Sequence, residues 1–158
     1  MTYVVAVRTL CEFTAKRGDL DLRFTPSPTA LEGIEGHAYV TSRRAAGYES
    51  ELTLSGAYGE LTVRGRADGY DPKANRLEEI KTYRGQLDAM PDNHRALHWA
   101  QALVYGHLLC QARGLAQLDV ALVYFDIGTR KETVLTQSYD AAALQDFFAQ
   151  QCERFLSW

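Results

Sequence analysis

The feature that most limits how this chain can fold is a change of hydrophobic period between Ser50 and Tyr83. Across "SELTLSGAY", "GELTVRGRADGY" and "RLEEIKTY" apolar and polar residues alternate with a period of two. Turn formers separate these runs at Gly56–Gly59 and Asp71–Asn75. Such alternation belongs to strands with one buried face, so three consecutive antiparallel strands are expected. The segments on either side keep a helical period. "PDNHRALHWAQALVYGHLLCQARG" reads as a helix capped by Asp92 or Asn93 and ended by Gly114. "TPSPTALEGIEGHAYVTSRR" reads as a helix opened by Ser27 and Pro28 and running to Ala46. Gly33 and Gly36 inside it cost helix stability, which implies a packing or access reason.

The remaining segments complete an α/β pattern. "YVVAVRTLCEFTAKRG" reads as a helix that stops at Gly18, with a first turn open to an extended form, and "DLDLRF" as a short strand. "LDVALVYFDIGTRKETVLTQSY" reads as a hairpin whose first strand is apolar enough to be central, and Asp140 caps a final helix through Phe155. The expected architecture is a mixed sheet flanked by helices. A length of 158 residues suits one domain spanning 1–158. The chain ends abruptly on Leu156 and Trp158 with no polar tail, which reads as a domain cut from a longer chain.

Composition narrows the function classes. The net charge of −3 carries no global basic signature for nucleic acid, but it leaves room for a local basic cleft. No apolar run reaches the length of a membrane span, and no basic region precedes an apolar core at the start, so a cytoplasmic protein without membrane contact is expected. Cys11, Cys110 and Cys152 are far apart, with no CxxC pair, and read as buried thiols in a reducing compartment.

The acidic hairpin "VRGRADGYDPKANRLEEIKTY" holds the candidate chemistry. A turn centred between Lys73 and Ala74 puts Asp68 opposite Glu79, with Cβ atoms roughly 5 Å apart on one face. Lys81 then shares that face, Glu78 takes the other, and Arg66 stands opposite Lys81. A slip of one residue would separate the acids. Facing like charges destabilise a sheet. Either Lys81 serves as counter-ion, or two carboxylates with a backbone carbonyl take a hard cation such as Mg²⁺ or Mn²⁺. A cation so held, beside an amine, is a kit for phosphodiester hydrolysis. The alternative is a solvent-exposed hairpin with a charged outer face.

"GRAD" (Gly65 to Asp68) followed by "EIK" (Glu79 to Lys81) resembles the core signature of the PD-(D/E)XK nuclease superfamily. "QALVY" (Gln101 to Tyr105) and "GIEGH" (Gly33 to His37) resemble the QxxxY and GxxxH helices of its RecB-like exonuclease branch. All four stand in the family's order, across Thr29 to Ile127. The resemblance implies a restriction-endonuclease-like αβββαβ core and an exonuclease that cuts DNA with Mg²⁺ or Mn²⁺ in repair or recombination. It implies Asp68, Glu79, the Ile80 carbonyl and His37 as metal ligands. Lys81 would orient the attacking water, and Gln101 and Tyr105 would support the site and touch the DNA backbone. Three cysteines do not match the four-cysteine pattern of some relatives, so no iron–sulfur cluster is expected. The sequence is also similar to the nuclease-like N-terminal region of bacterial DinG- or XPD-type helicases. No GxxxxGK[ST] is present, so a helicase partner would lie downstream in the native chain. A non-catalytic nucleic-acid-binding or docking module accessory to a helicase is the alternative function.

The residues around this core keep two readings each. His94, His98, Gln101 and Tyr105 form one polar stripe, and His98 reads as solvent-exposed or as a DNA contact. His37 is a metal ligand or a histidine satisfied by a neighbouring backbone or carboxylate group. Arg43, Arg44, Arg64, Arg66, Lys73 and Arg84 form a basic rim for DNA or an ordinary solvated surface. Tyr48, Tyr70 and Tyr83 stack on bases, with single strands favoured, or pack the sheet.

Overall fold

A computed structural model describes residues 2–14 and 29–157. The elements in chain order are β1 (Tyr3–Ala6), α1 (Val7–Thr14), α2 (Ala30–Ser42), β2 (Glu49–Tyr58), β3 (Leu61–Asp71) and β4 (Arg76–Tyr83). A 3₁₀ turn at Leu87–Ala89 leads into α3 (Asp92–Arg113), β5 (Gln117–Asp126), β6 (Glu132–Asp140) and α4 (Ala141–Leu156). The run α2–β2–β3–β4–α3–β5 is the expected αβββαβ core, in a six-stranded mixed sheet with helices on both faces.

Several local expectations shift. The first segment is a strand followed by a helix: Tyr3–Ala6 pairs in parallel with Leu61–Arg64, because an edge of β3 is open there. The capping residue of α2 is Thr29, whose side chain accepts from the Glu32 N–H while Glu32 reaches back to the Thr29 N–H. This helix stops at Ser42, short of Ala46. "DLDLRF" and Ser27–Pro28 lie outside the described residues. Neither Asp92 nor Asn93 caps α3: Pro91 is the N-cap, while Gly114 ends the helix in the left-handed conformation as expected. Asp140 caps α4 by accepting from the Ala143 N–H.

Strand β3 organises the sheet. β2 covers one of its edges from Leu61 to Tyr70. The other edge is shared in tandem: β1 pairs with Leu61–Arg64, and β4 pairs with Gly69–Asp71. Residues 65–68 therefore have no strand partner on that side, and the sheet forks there. The β3–β4 register, Gly69 with Glu78 and Tyr70 with Leu77, is the one that extrapolates to Asp68 opposite Glu79.

Two apolar clusters fill the faces. The larger lies under α1, α3 and α4 and includes Val7, Leu10, Leu61, Val63, Leu77, Leu108 and Phe148. The smaller lies under α2 and joins Val40, Ile80, Val123 and Phe125. Tyr70 and Tyr83 are buried, and Tyr48 donates to Glu78, so all three tyrosines serve packing rather than base stacking. No helix among the described residues is long and apolar enough to cross a membrane.

Candidate active site

The site sits at the fork. Where β3 and β4 part, the Ile80 N–H has lost its ladder partner, and it donates to Asp68 Oδ2 at 2.7 Å. A carboxylate thus replaces a backbone carbonyl at the break. Glu79, next to Ile80, points to the α3 side and is only 6% exposed. Lys81 Nζ lies 3.3 Å from Glu79 Oε1 and donates to Gln101 Oε1 at 2.9 Å. One oxygen of Glu79, Oε2, is buried without a hydrogen-bond partner.

The electrostatics follow from this geometry. Burial pushes the Glu79 carboxyl up to about 8, the neighbouring Asp68 charge adds to the rise, and Lys81 opposes it. Burial also raises Asp68, against the Ile80 N–H, the Lys81 charge and a hydrogen bond with Glu79. Both shifts favour a bound proton over a bare pair of charges, and a cation would offset the same repulsion.

His37 reaches the same place from the opposite face. Its Nδ1 is 3.6 Å from Asp68 Oδ1, and its ring hydrogen-bonds to the Ile80 backbone. That bond favours the protonated ring, so His37 is the donor and the Ile80 carbonyl the acceptor. Burial outweighs it and holds the imidazole below its ordinary pKa, hence neutral at pH 7. The residue that lets α2 come so close is Gly36 rather than Gly33. A Cβ on Gly36 would overlap Thr82 Cγ2 and stand 3.2 Å from Phe125 Cδ2, whereas one on Gly33 would meet Thr82 Oγ1 at an ordinary 3.7 Å.

The QxxxY helix closes the other side. Tyr105 hydrogen-bonds to the Arg66 backbone, on the unpaired stretch of β3. Gly65 makes this possible, since a Cβ there would come within 2.5 Å of Tyr105 Oη. Gln101 holds Lys81, as already described. The two residues satisfy groups at the fork that the sheet leaves open.

Other expected site residues lie elsewhere. His98 bonds Tyr124 Oη at 2.9 Å, so its partner is the β5 strand rather than solvent. Arg84 forms an ion pair with Glu32 of α2. Arg66 is exposed and stands against Thr53 of β2, not Lys81, because the β3–β4 ladder ends before it. Arg44 leaves the basic rim altogether: it donates to Glu78 Oε1 at 2.9 Å and to Glu132 Oε1 at 2.8 Å. Glu78 is fully buried, on the face opposite Glu79 as expected.

Sequence reasoning missed Glu51. It sits beside Asp68 on β2 with a φ of 55°, and the Glu51/Asp68 pair is absent from an otherwise continuous register. A left-handed, non-glycine residue within a strand run has no signature in hydrophobic period. With Ile34, His37, Ala38, Thr41, Ser50, Asp68 and Ile80 it lines a cleft of about 330 Å³. Among the described residues no three His, Cys, Asp or Glu side chains already close around a common point.

No family model matches the sequence, and no curated protein matches it. Among solved structures the chain is similar to an alkaline exonuclease from Laribacter hongkongensis. The TM-score is 0.57 at 11% identity, covering 97% of this chain and 86% of that one. It is also similar to a phage-related exonuclease from Haemophilus somnus 129PT, with a TM-score of 0.54 at 14% identity, covering 94% and 76%. At these identities the likeness concerns the fold. What is shared with these exonucleases is the mixed sheet flanked by helices.

Proposed function

We propose that the chain is a divalent-metal-dependent deoxyribonuclease, an exonuclease of the RecB-like branch that hydrolyses phosphodiester bonds. The observation that carries this reading is the meeting of half-buried Asp68 and buried Glu79 at the fork, with Glu79 Oε2 unpartnered and Lys81 tethered beside it. Two raised carboxyls and an orphaned oxygen are a poor way to stabilise a sheet and a good way to await a cation. The donors are hard oxygens with one neutral imidazole, which suits Mg²⁺ or Mn²⁺ with several retained waters. Asp68, Glu79, the Ile80 carbonyl and His37 would hold it. Such an ion supplies polarisation of a phosphoryl oxygen and a lowered pKa for water.

The chain's own groups do the remainder. Lys81, fixed by Gln101, donates to an oxygen that gains charge as the diester is attacked. Tyr105 anchors the unpaired β3 backbone and so steadies Asp68. Exposed Arg64 and Arg66 meet backbone phosphates, whereas Arg84 is held by Glu32. DNA is the substrate, single strands preferred, in cytoplasmic repair or recombination. Residues 1–158 form one domain, beside a helicase in a longer chain; the support for that setting is the likeness of the sequence to the N-terminal region of DinG- or XPD-type helicases, apart from the four ordered motifs.

The test is digestion of labelled single- and double-stranded DNA with Mn²⁺. Wild type should cleave and Asp68→Ala and Lys81→Ala should lose at least about 100-fold, the scale of a lost electrostatic group. Equal rates in wild type and both variants would remove the enzymatic reading. Salt-sensitive DNA binding without cleavage would instead favour the accessory binding module.

A further inference from the structure

The mechanism leaves a fully buried carboxylate unused. Glu78 precedes Glu79 on β4 but projects to the α2 face of the sheet. Its Oε1 accepts from Tyr48 Oη at 2.8 Å and from Arg44 Nε at 2.9 Å, and Arg76 Nε lies 3.3 Å from its Oε2. Arg44 continues to Glu132 of β6, donating to Oε1 at 2.8 Å and to Oε2 at 3.3 Å. An apolar side chain at position 78 would stabilise the sheet as well, because desolvating an ion pair offsets most of its attraction. What the charged cluster adds is direction: each bond fixes one element relative to another.

The elements so fixed are those that carry the candidate ligands. Glu78 stands opposite Gly69, in the last β3–β4 pair before the fork. Asp68 and Glu79 are the next residues on the two strands. A Cβ on Gly69 would overlap the Tyr48 hydroxyl and ring, so the phenol rests on the Gly69 backbone while it donates to Glu78. One side chain thus bridges both strands at the point where they part. Arg44 lies two residues beyond the end of α2, which carries His37, so its bonds tie that helix to β4 and β6. We infer that Tyr48 and Arg44 are positioning residues: through Glu78 they set the spacing of Asp68 from Glu79 at the fork and hold the His37 helix against it. Their action is indirect, through the backbone that carries the ligands. Burial and the Glu78 charge keep the Tyr48 phenol above its ordinary pKa, so it stays a donor at neutral pH. The purpose of the spacing rests on the metal reading; the spacing itself does not.

The experiment compares the full chain as wild type, Tyr48→Phe and Leu144→Ala. Tyr48→Phe keeps the ring on Gly69 and removes only the donor. Leu144, fully buried on α4, supplies a loss of stability on the other face of the sheet. Amide hydrogen exchange is followed by NMR in chelator at two sites: the Ile80 N–H that donates to Asp68, and the Leu122 N–H within β5. In Tyr48→Phe the ratio of Ile80 to Leu122 exchange rates should rise at least about 10-fold, the scale of one lost hydrogen bond to a buried charge. A merely structural role would quicken Leu122 at least as much as Ile80, as Leu144→Ala should. Calorimetric titration with Mn²⁺ should show a Kd weakened by about 10-fold in Tyr48→Phe, the lower end for a group that supports a ligand, and unchanged in Leu144→Ala. An unchanged exchange ratio overturns the inference, and so does an unchanged Mn²⁺ Kd in Tyr48→Phe. If wild type binds no Mn²⁺, the metal reading fails and the exchange ratio alone decides the inference. If Tyr48→Phe does not fold, Glu132→Gln, which removes the charge that anchors Arg44 to β6, is judged by the same two measurements.

Discussion

Replacing Glu79 by glutamine should stabilise the metal-free protein while abolishing its cleavage. The Glu79 carboxyl is 6% exposed and stands near 8 in the folded chain, against an ordinary 4.5. The folded state therefore binds a proton more tightly than the unfolded state. Stability is full below 4.5 and is lost as pH rises through about 8, then stays flat. At 1.36 kcal/mol per unit, the loss by pH 7 is about 3 kcal/mol. Asp68 is raised as well, so the slope belongs to the pair rather than to either acid. Glutamine carries no titrating proton, and its carbonyl oxygen can still accept from Lys81. Glu79→Gln should match wild type near pH 4.5 and exceed it by about 3 kcal/mol at pH 7. Urea denaturation in chelator at pH 5, 7 and 8.5 measures this, with the m value checked for constancy. Parallel pH slopes in wild type and Glu79→Gln, or a variant less stable at every pH, would refute the reasoning. A gain in stability with loss of function is the usual trade at a strained site.

Three further outcomes follow from the geometry. Saturating Mn²⁺ should raise the melting temperature of wild type but not of Asp68→Asn or Glu79→Gln; at 100 times Kd the gain is about 2.7 kcal/mol. Gly36→Ala should cost about 1–3 kcal/mol in urea titrations, because the new Cβ overlaps Thr82, and should lower metal-dependent cleavage by lifting His37 off Ile80. Arg44→Ala should cost about 3–5 kcal/mol by leaving Glu78 buried with a weakened shell; Arg44→Lys should recover little of it in a thermal melt, since lysine cannot bridge Glu78 and Glu132 with a planar fork.

Much of the fold was legible because it follows period. The alternation in Ser50–Tyr83 and the long helical run to Gly114 each match their elements, and Asp140 and Gly114 mark their helix ends through local chemistry. The short stretch Tyr3–Ala6 was not legible as a strand, because its pairing partner lies far along the chain at Leu61–Arg64. The basic rim is reduced for a similar reason, to residues such as exposed Arg64 and Arg66. Arg43, Arg44 and Arg84 find acids from other elements, Glu132, Glu78 and Glu32.

For the candidate site, sequence alone determined which residues share a face: Glu79 with Lys81, Glu78 opposite, and Gln101 one turn from Tyr105. Strand and helix geometry fix these relations within a single element. Only the tertiary structure decided that β1 and β4 divide one edge of β3, leaving residues 65–68 unpaired. That fork turns Asp68 towards the Ile80 N–H, admits Tyr105 over Gly65, and brings His37 and Glu51 to the same opening. The physical reason is that a sheet edge is a contest among strands far apart in sequence. Its outcome depends on which pairs bury the most surface together, which no local pattern records.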